Sequence, residues 1–160
     1  MFTLKSKRIA SIVSVPDQFH YYWIKSLLNK KIPVLTVKPL TLNLKDSLEL
    51  KNISEELNTP AFVEFHKRYD RQLRFARDSY NEGRIGIPLY SFTEYTQRKD
   101  IPLKAFKNWC QDTNIFCYLG VHYVDAMHYV TNAIPLKVSA NGQKIYLKNE
   151  GLNIFDSVQA

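Results

Sequence analysis

The sequence contains few of the residues that form disulfides, metal sites and nucleotide-binding loops. Its 2 cysteines, with no export signal ahead of them, favour free thiols and a cytoplasmic location. It has no glycine-rich phosphate loop, no His-Glu-x-x-His pair and no Cys-x-x-Cys, so nothing supports nucleotide hydrolysis or a structural zinc site. No apolar run approaches the length that crosses a bilayer. We therefore expect no cofactor, no metal and no membrane partner.

Glycine and proline, which mark linkers and low-complexity segments, are also sparse. The 5 glycines and 7 prolines are scattered along the 160 residues, and no repeat period is visible. Hydrophobic residues make up 45% of the chain, which is enough to form a core. The length is that of one domain, so we predict a single globular domain over residues 1–160.

The N-terminal part of the chain predicts a strand, a helix and a second strand. The β-branched run at residues 9–15 is typical of a buried strand, and the apolar spacing over residues 17–30 indicates a helix. A second strand is expected at residues 32–37. A strand, helix and strand in this length of chain favour a small parallel pair.

A longer helix and a C-terminal hairpin are predicted downstream. Apolar residues recur at steps of three and four over residues 60–82, which is typical of an amphipathic helix. Residues 115–124 are rich in aromatic and β-branched residues and are expected to be strand at least in part. Asn141-Gly142 is typical of a two-residue turn, so residues 136–147 predict a β-hairpin. The predicted fold class is therefore α+β, or mixed α/β.

Residues 91–112 predict two short helices joined by a tight turn. Ser91 and Glu94 fit a capping box at the start of the first helix. Pro102 disfavours helical geometry at the preceding residue and suits the first position of the second helix. Apolar residues then fall where two crossed helices share a small core, namely Tyr95, Ile101, Phe106 and Trp109.

This arrangement resembles the helix-turn-helix unit of DNA-binding proteins, in which the second helix lies in the major groove. Asp100 stands where that family usually has a turn glycine, and Thr96 stands where it favours a very small residue. The resemblance implies duplex DNA as the partner. The residues expected to contact DNA are Arg98, Lys99, Lys104, Lys107, Asn108 and Gln111. A helical hairpin that serves only as core is the alternative.

The charge of the chain fits the same interpretation. There are 22 Lys+Arg against 15 Asp+Glu, a formal net charge of +7, which is typical of a phosphate-binding surface. On the predicted long helix, Lys67, Arg71 and Arg74 either contact the DNA backbone or belong to a solvated face. The hairpin either closes a sheet or acts as a wing on the DNA, and the wing contacts would be Lys137, Lys144 and Lys148.

A nuclease site is an alternative. Pro16-Asp17, followed by Glu49-Leu50-Lys51, resembles the PD-(D/E)xK nuclease motif. In that motif carboxylates hold Mg²⁺ and the lysine stabilises the attacking hydroxide. The resemblance implies Asp17, Glu49 and Lys51 as catalytic residues, although the second segment has the pattern of a helix.

A metal cluster has less support. His122, Asp125 and His128 are close in sequence, but no regular helix brings both histidines to one face, so structural histidines are favoured. The sequence as a whole favours a non-enzymatic DNA-binding protein. The alternatives are a Mg-dependent nuclease or other DNA-processing enzyme, and a protein-binding adaptor or inhibitor that uses its 10 tyrosines and 9 phenylalanines. A homo-oligomer is left open.

Overall fold

The computed structural model describes residues 9–160. The chain divides into two compact units, Met1–Glu64 and Phe65–Ala160. Helices and strands occur in both units, so the predicted mixed class is confirmed. Folding of the whole chain as a single domain stays a prediction.

The first unit is a three-stranded parallel sheet with two helical crossovers. The strands are paired in the order β1, β2, β3, and Leu35 of the middle strand aligns with Ile12 on one side and Phe62 on the other. The predicted strand–helix–strand unit and its parallel pair are confirmed. The elements are β1 (Ser11–Val13), α1 (His20–Asn29), β2 (Val34–Val37), α2 (Leu44–Glu56) and β3 (Ala61–Glu64).

The core of the first unit lies on one face of this sheet. Ile24 and Leu28 of α1 and Leu50 of α2 are almost fully buried, and they pack with Val13 and Val34 of the sheet. Both crossovers run in the same direction along the sheet, so both helices cover the same face. Burial of aliphatic side chains on this face provides the main stabilisation of the unit.

The opposite face of the sheet carries a row of exposed apolar side chains. Because residues alternate between faces along a strand, the aligned Ile12, Leu35 and Phe62 all point away from the buried core. Their exposed fractions are 74%, 38% and 62%. Parallel sheets are ordinarily covered on both faces.

The second unit contains two longer helices, short turns and a two-stranded sheet. Its regular elements are α3 (Arg71–Asn81), α4 (Val121–Thr131), β4 (Asn141–Gln143), α5 (Tyr146–Asn149) and β5 (Ser157–Gln159). A 3₁₀ turn at His66–Tyr69 precedes α3, and a π-helical turn at Phe116–Gly120 leads into α4. The helices α3 and α4 pack against each other. No helix in residues 9–160 is long and apolar enough to span a bilayer.

The predicted helix over residues 60–82 is shorter than expected. Ala61–Glu64 pairs with β2 as a strand, and Asp70 has extended backbone angles, φ −61° and ψ 132°, so α3 begins only at Arg71. The apolar residues of this short strand match helical spacing as well as alternation. Pairing with a distant strand, rather than local pattern, decides the outcome here.

The predicted pair of helices at residues 91–112 is wrong. Residues 91–98 have no regular secondary structure, and the rest forms only a π-helical turn at Ile101–Ala105 and a 3₁₀ turn at Cys110–Asp112. The two turns pack onto the C-terminal part of the chain, where Cys110 is buried with Leu147 and Leu152. Residues of this segment are therefore buried against the C-terminal part of the chain, and no pair of crossed helices forms.

The predicted hairpin at residues 136–147 is also wrong. Asn141 and Gly142 lie inside β4 rather than at a turn, and β4 pairs in antiparallel fashion with Ser157–Gln159. Asp156 directly precedes β5, and its carboxylate accepts hydrogen bonds from the backbone N–H groups of residues 145–147 at the start of α5. These contacts favour pairing of β4 with the C-terminal residues over a local hairpin.

Residues 115–124 form helix rather than the expected strand. The π-helical turn at Phe116–Gly120 continues directly into α4. Aromatic and β-branched residues favour strands only weakly, and packing of α4 against α3 outweighs that preference.

Candidate functional site

A cleft of about 380 Å³ lies in the second unit, between α3, α4 and the extended segment that follows α3. Its floor is apolar and includes Leu73 of α3 and Met127 of α4. Hydrogen-bonding side chains line the same cleft, namely Lys67, Asp70, Ser91, Thr93, His122 and Tyr123. A mostly apolar cleft with a few convergent polar groups is the usual form of a small-molecule site.

The spacing of residues in α4 explains how one helix supplies both the floor and two polar groups. His122, Ala126 and Val130 are four residues apart, and Tyr123 and Met127 follow the same spacing one position later. Residues at this spacing lie on one side of an α-helix. The N-terminal end of this stripe is polar and the remainder is apolar.

Lys67 and Asp70 form the charged edge of the cleft. The Lys67 ammonium nitrogen lies 3.3 Å from an Asp70 carboxylate oxygen. Asp70 is the residue before α3, yet its side chain makes no capping hydrogen bond to the helix. Both side chains are half-exposed, so the pair offers a donor and an acceptor to a ligand in the cleft.

His122 is the most buried polar residue of the cleft. Its exposed fraction is 5%, and its ring lies 4.5 Å from the ring of His66 in an edge-to-face arrangement. The ring of Phe65 packs nearby, with centroids 6.4 Å apart. The imidazole is therefore held in a fixed orientation by aromatic contacts, and imidazole is a common proton donor and acceptor in catalysis.

Tyr123 stands beside His122 as a hydrogen-bond donor. Burial raises the pKa of the Tyr123 phenol, the neighbouring Tyr95 raises it further, and Lys67 acts in the opposite direction. The ring centroids of Tyr95 and Tyr123 are 5.8 Å apart. With its pKa above the ordinary value, the Tyr123 hydroxyl keeps its proton at neutral pH.

An ion pair joins the turn before α3 to the helix α4. The Arg68 Nε donates to an Asp125 carboxylate oxygen at 2.9 Å, and Nη2 donates to the other oxygen. The Asp125 carboxylate raises the pKa of Arg68 above its usual range. The same guanidinium lies over the rings of Phe65 and Tyr129, at 5.3 and 5.5 Å from their centroids.

In the first unit, a buried histidine joins the ends of two strands. The Nδ1 of His20 lies 2.7 Å from the carbonyl oxygen of Pro39, and Nε2 lies 2.9 Å from that of Val15. Val15 follows β1 and Pro39 follows β2. His20 is completely buried, so its ring contacts the backbone after the two strands and is not accessible to solvent.

The residues predicted to bind DNA do not lie along one recognition helix. All four of those in the predicted second helix are exposed: Lys104 on the π-helical turn, Lys107 and Asn108 on the turn that follows it, and Gln111 on the 3₁₀ turn. Within the same segment, Arg98 donates to Asp100, and the Lys99 ammonium lies 3.9 Å from the centroid of the Tyr146 ring.

The alternative nuclease residues are engaged elsewhere. Glu49 accepts a hydrogen bond from Lys25 at 2.6 Å, and Lys51 donates to Glu55 one turn further along α2. Asp17 is buried after β1. The Glu49-Leu50-Lys51 segment lies on the helix α2, as its sequence pattern indicates. The nuclease motif needs this segment on a strand of the sheet.

The His122, Asp125 and His128 cluster is not assembled either. Asp125 is paired with Arg68, and the His128 Nδ1 lies 3.1 Å from the Ala133 carbonyl oxygen. Among the residues that the structure describes, no three metal-ligating side chains come together.

Relatives of the chain are oxidoreductases. No protein-family model matches the sequence. An uncharacterized oxidoreductase of Schizosaccharomyces pombe is 27% identical over 125 residues, which cover 78% of this chain and 32% of that protein. The chain thus spans about a third of the length of this relative.

Solved structures with the same fold include inositol dehydrogenases. The myo-inositol 2-dehydrogenase of Lactobacillus plantarum matches 96% of this chain and 47% of its own, with a TM-score of 0.81 and 20% identity. An inositol dehydrogenase homologue of Azotobacter vinelandii, complexed with NADH and myo-inositol, has a TM-score of 0.83 and 16% identity. That match covers 93% of this chain and 39% of the other. The fold is therefore one that dehydrogenases use.

These similarities overturn the predicted function. The helix-turn-helix resemblance, duplex DNA as the partner, and the nuclease and adaptor alternatives all conflict with relatives and structural neighbours that are oxidoreductases. The basic net charge misled the interpretation, because a positive balance indicates affinity for anions in general.

The turn after β1 does not offer the glycine-rich phosphate contacts that NAD-binding strand–helix–strand folds use. In those folds, the pyrophosphate lies on free N–H groups at a glycine-rich turn after the first strand. Pro16, in the turn after β1, has no N–H, and Asp17 beside it is buried.

Sequence reasoning missed most of the cleft. The sequence pattern indicates a DNA-facing or solvated surface for Lys67 and a metal cluster or a structural histidine for His122, and it indicates no site role for Asp70 and Tyr123. The signal was present in the residues from His122 to Val130, where two polar residues begin an otherwise apolar helical stripe. Only contact between α3 and α4 shows that this stripe borders Lys67 and Asp70.

Proposed function

We propose that this chain forms the substrate-binding part of an oxidoreductase that acts on a polyol such as inositol. The observation that carries the proposal is the cleft of the second unit, in which His122 and Tyr123 lie with Lys67 and Asp70. The similarity to oxidoreductases, including structures of inositol dehydrogenases, supports it.

The polar groups of the cleft suit a ligand that carries many hydroxyl groups. Each hydroxyl of a polyol both donates and accepts hydrogen bonds. Lys67 and the Tyr123 hydroxyl donate, and the Asp70 carboxylate accepts. The apolar floor, which includes Leu73 and Met127, suits the C–H face of a carbocyclic ring.

His122 is the residue we assign to proton transfer. Oxidation of an alcohol to a ketone removes a proton from the hydroxyl oxygen and transfers a hydride from the carbon to an acceptor. A bound NAD⁺ would supply that acceptor, as the NADH complex of the Azotobacter vinelandii homologue suggests by similarity. The imidazole of His122 takes the hydroxyl proton, and its fixed orientation against His66 keeps it in reach of the cleft. The Tyr123 hydroxyl, which stays protonated, donates a hydrogen bond to a substrate oxygen.

The location that fits this proposal is the cytoplasm. Cys110 and Cys117 are both free thiols in the structure, as expected in a reducing compartment.

Calorimetric titration of the chain with myo-inositol tests the proposal. We expect saturable binding, and we expect Tyr123→Phe to weaken it by about 2- to 12-fold, the effect of losing one neutral hydrogen bond. Lys67→Met should weaken binding by about tenfold or more, because a charged donor is lost.

Two variants serve as matched controls. Tyr22→Phe changes a tyrosine of the first unit that is 66% exposed, and Lys51→Met changes a lysine on α2. Both should bind myo-inositol as the unaltered chain does. Absence of saturable binding, or equal losses in the cleft variants and the controls, would contradict the assignment of the cleft.

A further inference from the structure

The Arg68–Asp125 ion pair connects the two elements that supply the charged and proton-transferring groups of the cleft. Arg68 belongs to the His66–Tyr69 turn, next to Lys67 and two residues before Asp70. Asp125 belongs to α4, one helical turn after His122. The turn and α4 are in contact.

The geometry of this pair is that of a rigid connection. Two guanidinium nitrogens meet two carboxylate oxygens, and the Asp125 side chain is only 8% exposed. A bidentate pair of this kind fixes orientation as well as distance, because the guanidinium and the carboxylate are both planar. Stacking of the guanidinium on Phe65 and Tyr129 restricts it further.

We propose that Arg68 positions the polyol cleft, because its ion pair with Asp125 holds the His66–Tyr69 turn against α4. The ion pair sets the distance between Lys67 on the turn and His122 on the helix. Arg68 acts through its neighbours and does not line the cleft itself. This inference depends on the proposed function only for the identity of the ligand that binds in the cleft.

Lysine cannot replace arginine in this role. An ammonium group is a point charge that meets one oxygen at a time, so Arg68→Lys keeps the charge but loses the two-point connection. The charge of residue 68 and its geometry can therefore be separated by experiment.

A double-mutant cycle with Arg68→Gln, Asp125→Asn and the double variant tests the proposal. We expect each single change to weaken myo-inositol binding by between about 2-fold and 150-fold, and the double variant to bind about as weakly as the worse single variant, since the two residues act as a unit. Arg68→Lys should recover only part of the loss. Thermal melting of each variant reports whether the fold is retained.

A second measurement requires no ligand. The ring nitrogen resonances of His122, assigned by comparison with His122→Asn, should shift in Arg68→Gln and in Arg68→Lys, because the His66 ring moves with the turn. Arg77→Gln is the matched control. Arg77 also stacks on Tyr129, at 4.6 Å, and donates to its hydroxyl, so this variant should leave the His122 resonances unchanged.

The outcomes separate the two proposals. If the unaltered chain does not bind myo-inositol, the proposed function fails, and the His122 resonances alone decide whether Arg68 positions the cleft. If the unaltered chain binds but folded Arg68 variants keep both the affinity and the His122 resonances, the positioning role is overturned. If Arg68→Gln does not fold, the same criteria apply to Arg68→Lys.

Discussion

Replacement of His20 by leucine is expected to destabilise the first unit. The imidazole is completely buried, and its two nitrogens contact the carbonyl oxygens of Val15 and Pro39 at 2.9 and 2.7 Å. Leucine fills a similar volume but cannot donate a hydrogen bond. The change therefore removes the polar contacts with little effect on packing.

The magnitude follows from the number of carbonyl groups that lose a donor. A buried polar group left without its partner costs about 1–3 kcal/mol, so two such groups set an upper range of about 2–6 kcal/mol. A neutral imidazole carries one N–H and donates to one carbonyl at a time, whereas an imidazolium donates to both. We expect a loss of about 2–4 kcal/mol, a large share of the 5–15 kcal/mol typical of a domain.

Urea unfolding followed by tryptophan fluorescence measures this loss. The chain has 2 tryptophans, and a Trp109→Phe background leaves Trp23 of α1 as the reporter of the first unit. Lys45→Leu is the control, because Lys45 is an exposed residue of α2 in the same unit, and it should cost less than about 0.5 kcal/mol. A His20→Leu loss no larger than that of the control would refute the assignment of His20 as a buried connection between strand ends.

Two further predictions concern acid stability and cooperativity. Hydrogen bonds from the backbone N–H groups of Ile145 and Leu147, and then of Tyr146, lower the pKa of Asp156 below its ordinary value of 3.8. The ionised carboxylate therefore stabilises the fold at pH values above 3.8. This stabilisation is lost as the pH falls through the lowered pKa of the folded state. Melting between pH 5 and 3 should therefore depend on pH more steeply in the unaltered chain than in Asp156→Asn, and equal slopes would argue against the capping role. If the chain folds as one domain, urea transitions reported by single tryptophans in the two units should coincide, and separate midpoints would show two domains.

The sequence predicted the first unit better than the second for a physical reason. From β1 to β2, β-branched runs of strand length alternate with an apolar helical period, so local preference and tertiary pairing agree. They disagree only at β3, where pairing with β2 outweighs helical spacing. Residues 91–112 show the opposite case. Their capping pattern and Pro102 indicate helices, but Cys110 is buried against Leu147 and Leu152, which lie far along the chain. Long-range burial of this kind leaves no local signal.

The sequence pattern does not predict the cleft, for a similar reason. Lys67 and His122 are separated by more than 50 residues, and their proximity depends on packing of α3 against α4. The pairing of Arg68 with Asp125 is equally remote in sequence. Residue types identified His122 as chemically capable, but only the fold shows which groups surround it.

A polypeptide bound over the exposed row of Ile12, Leu35 and Phe62 would make the stability of the first unit depend on mass action. Full burial of a large apolar side chain contributes about 1.5–3 kcal/mol, so covering the exposed parts of these three would contribute on the order of 3–5 kcal/mol. That is comparable to the net stability of a small domain. A polypeptide that covers the row would raise the melting temperature in proportion to the logarithm of its concentration over its dissociation constant. The melting temperature of the first unit would then depend on the concentration of that polypeptide as well as on the sequence.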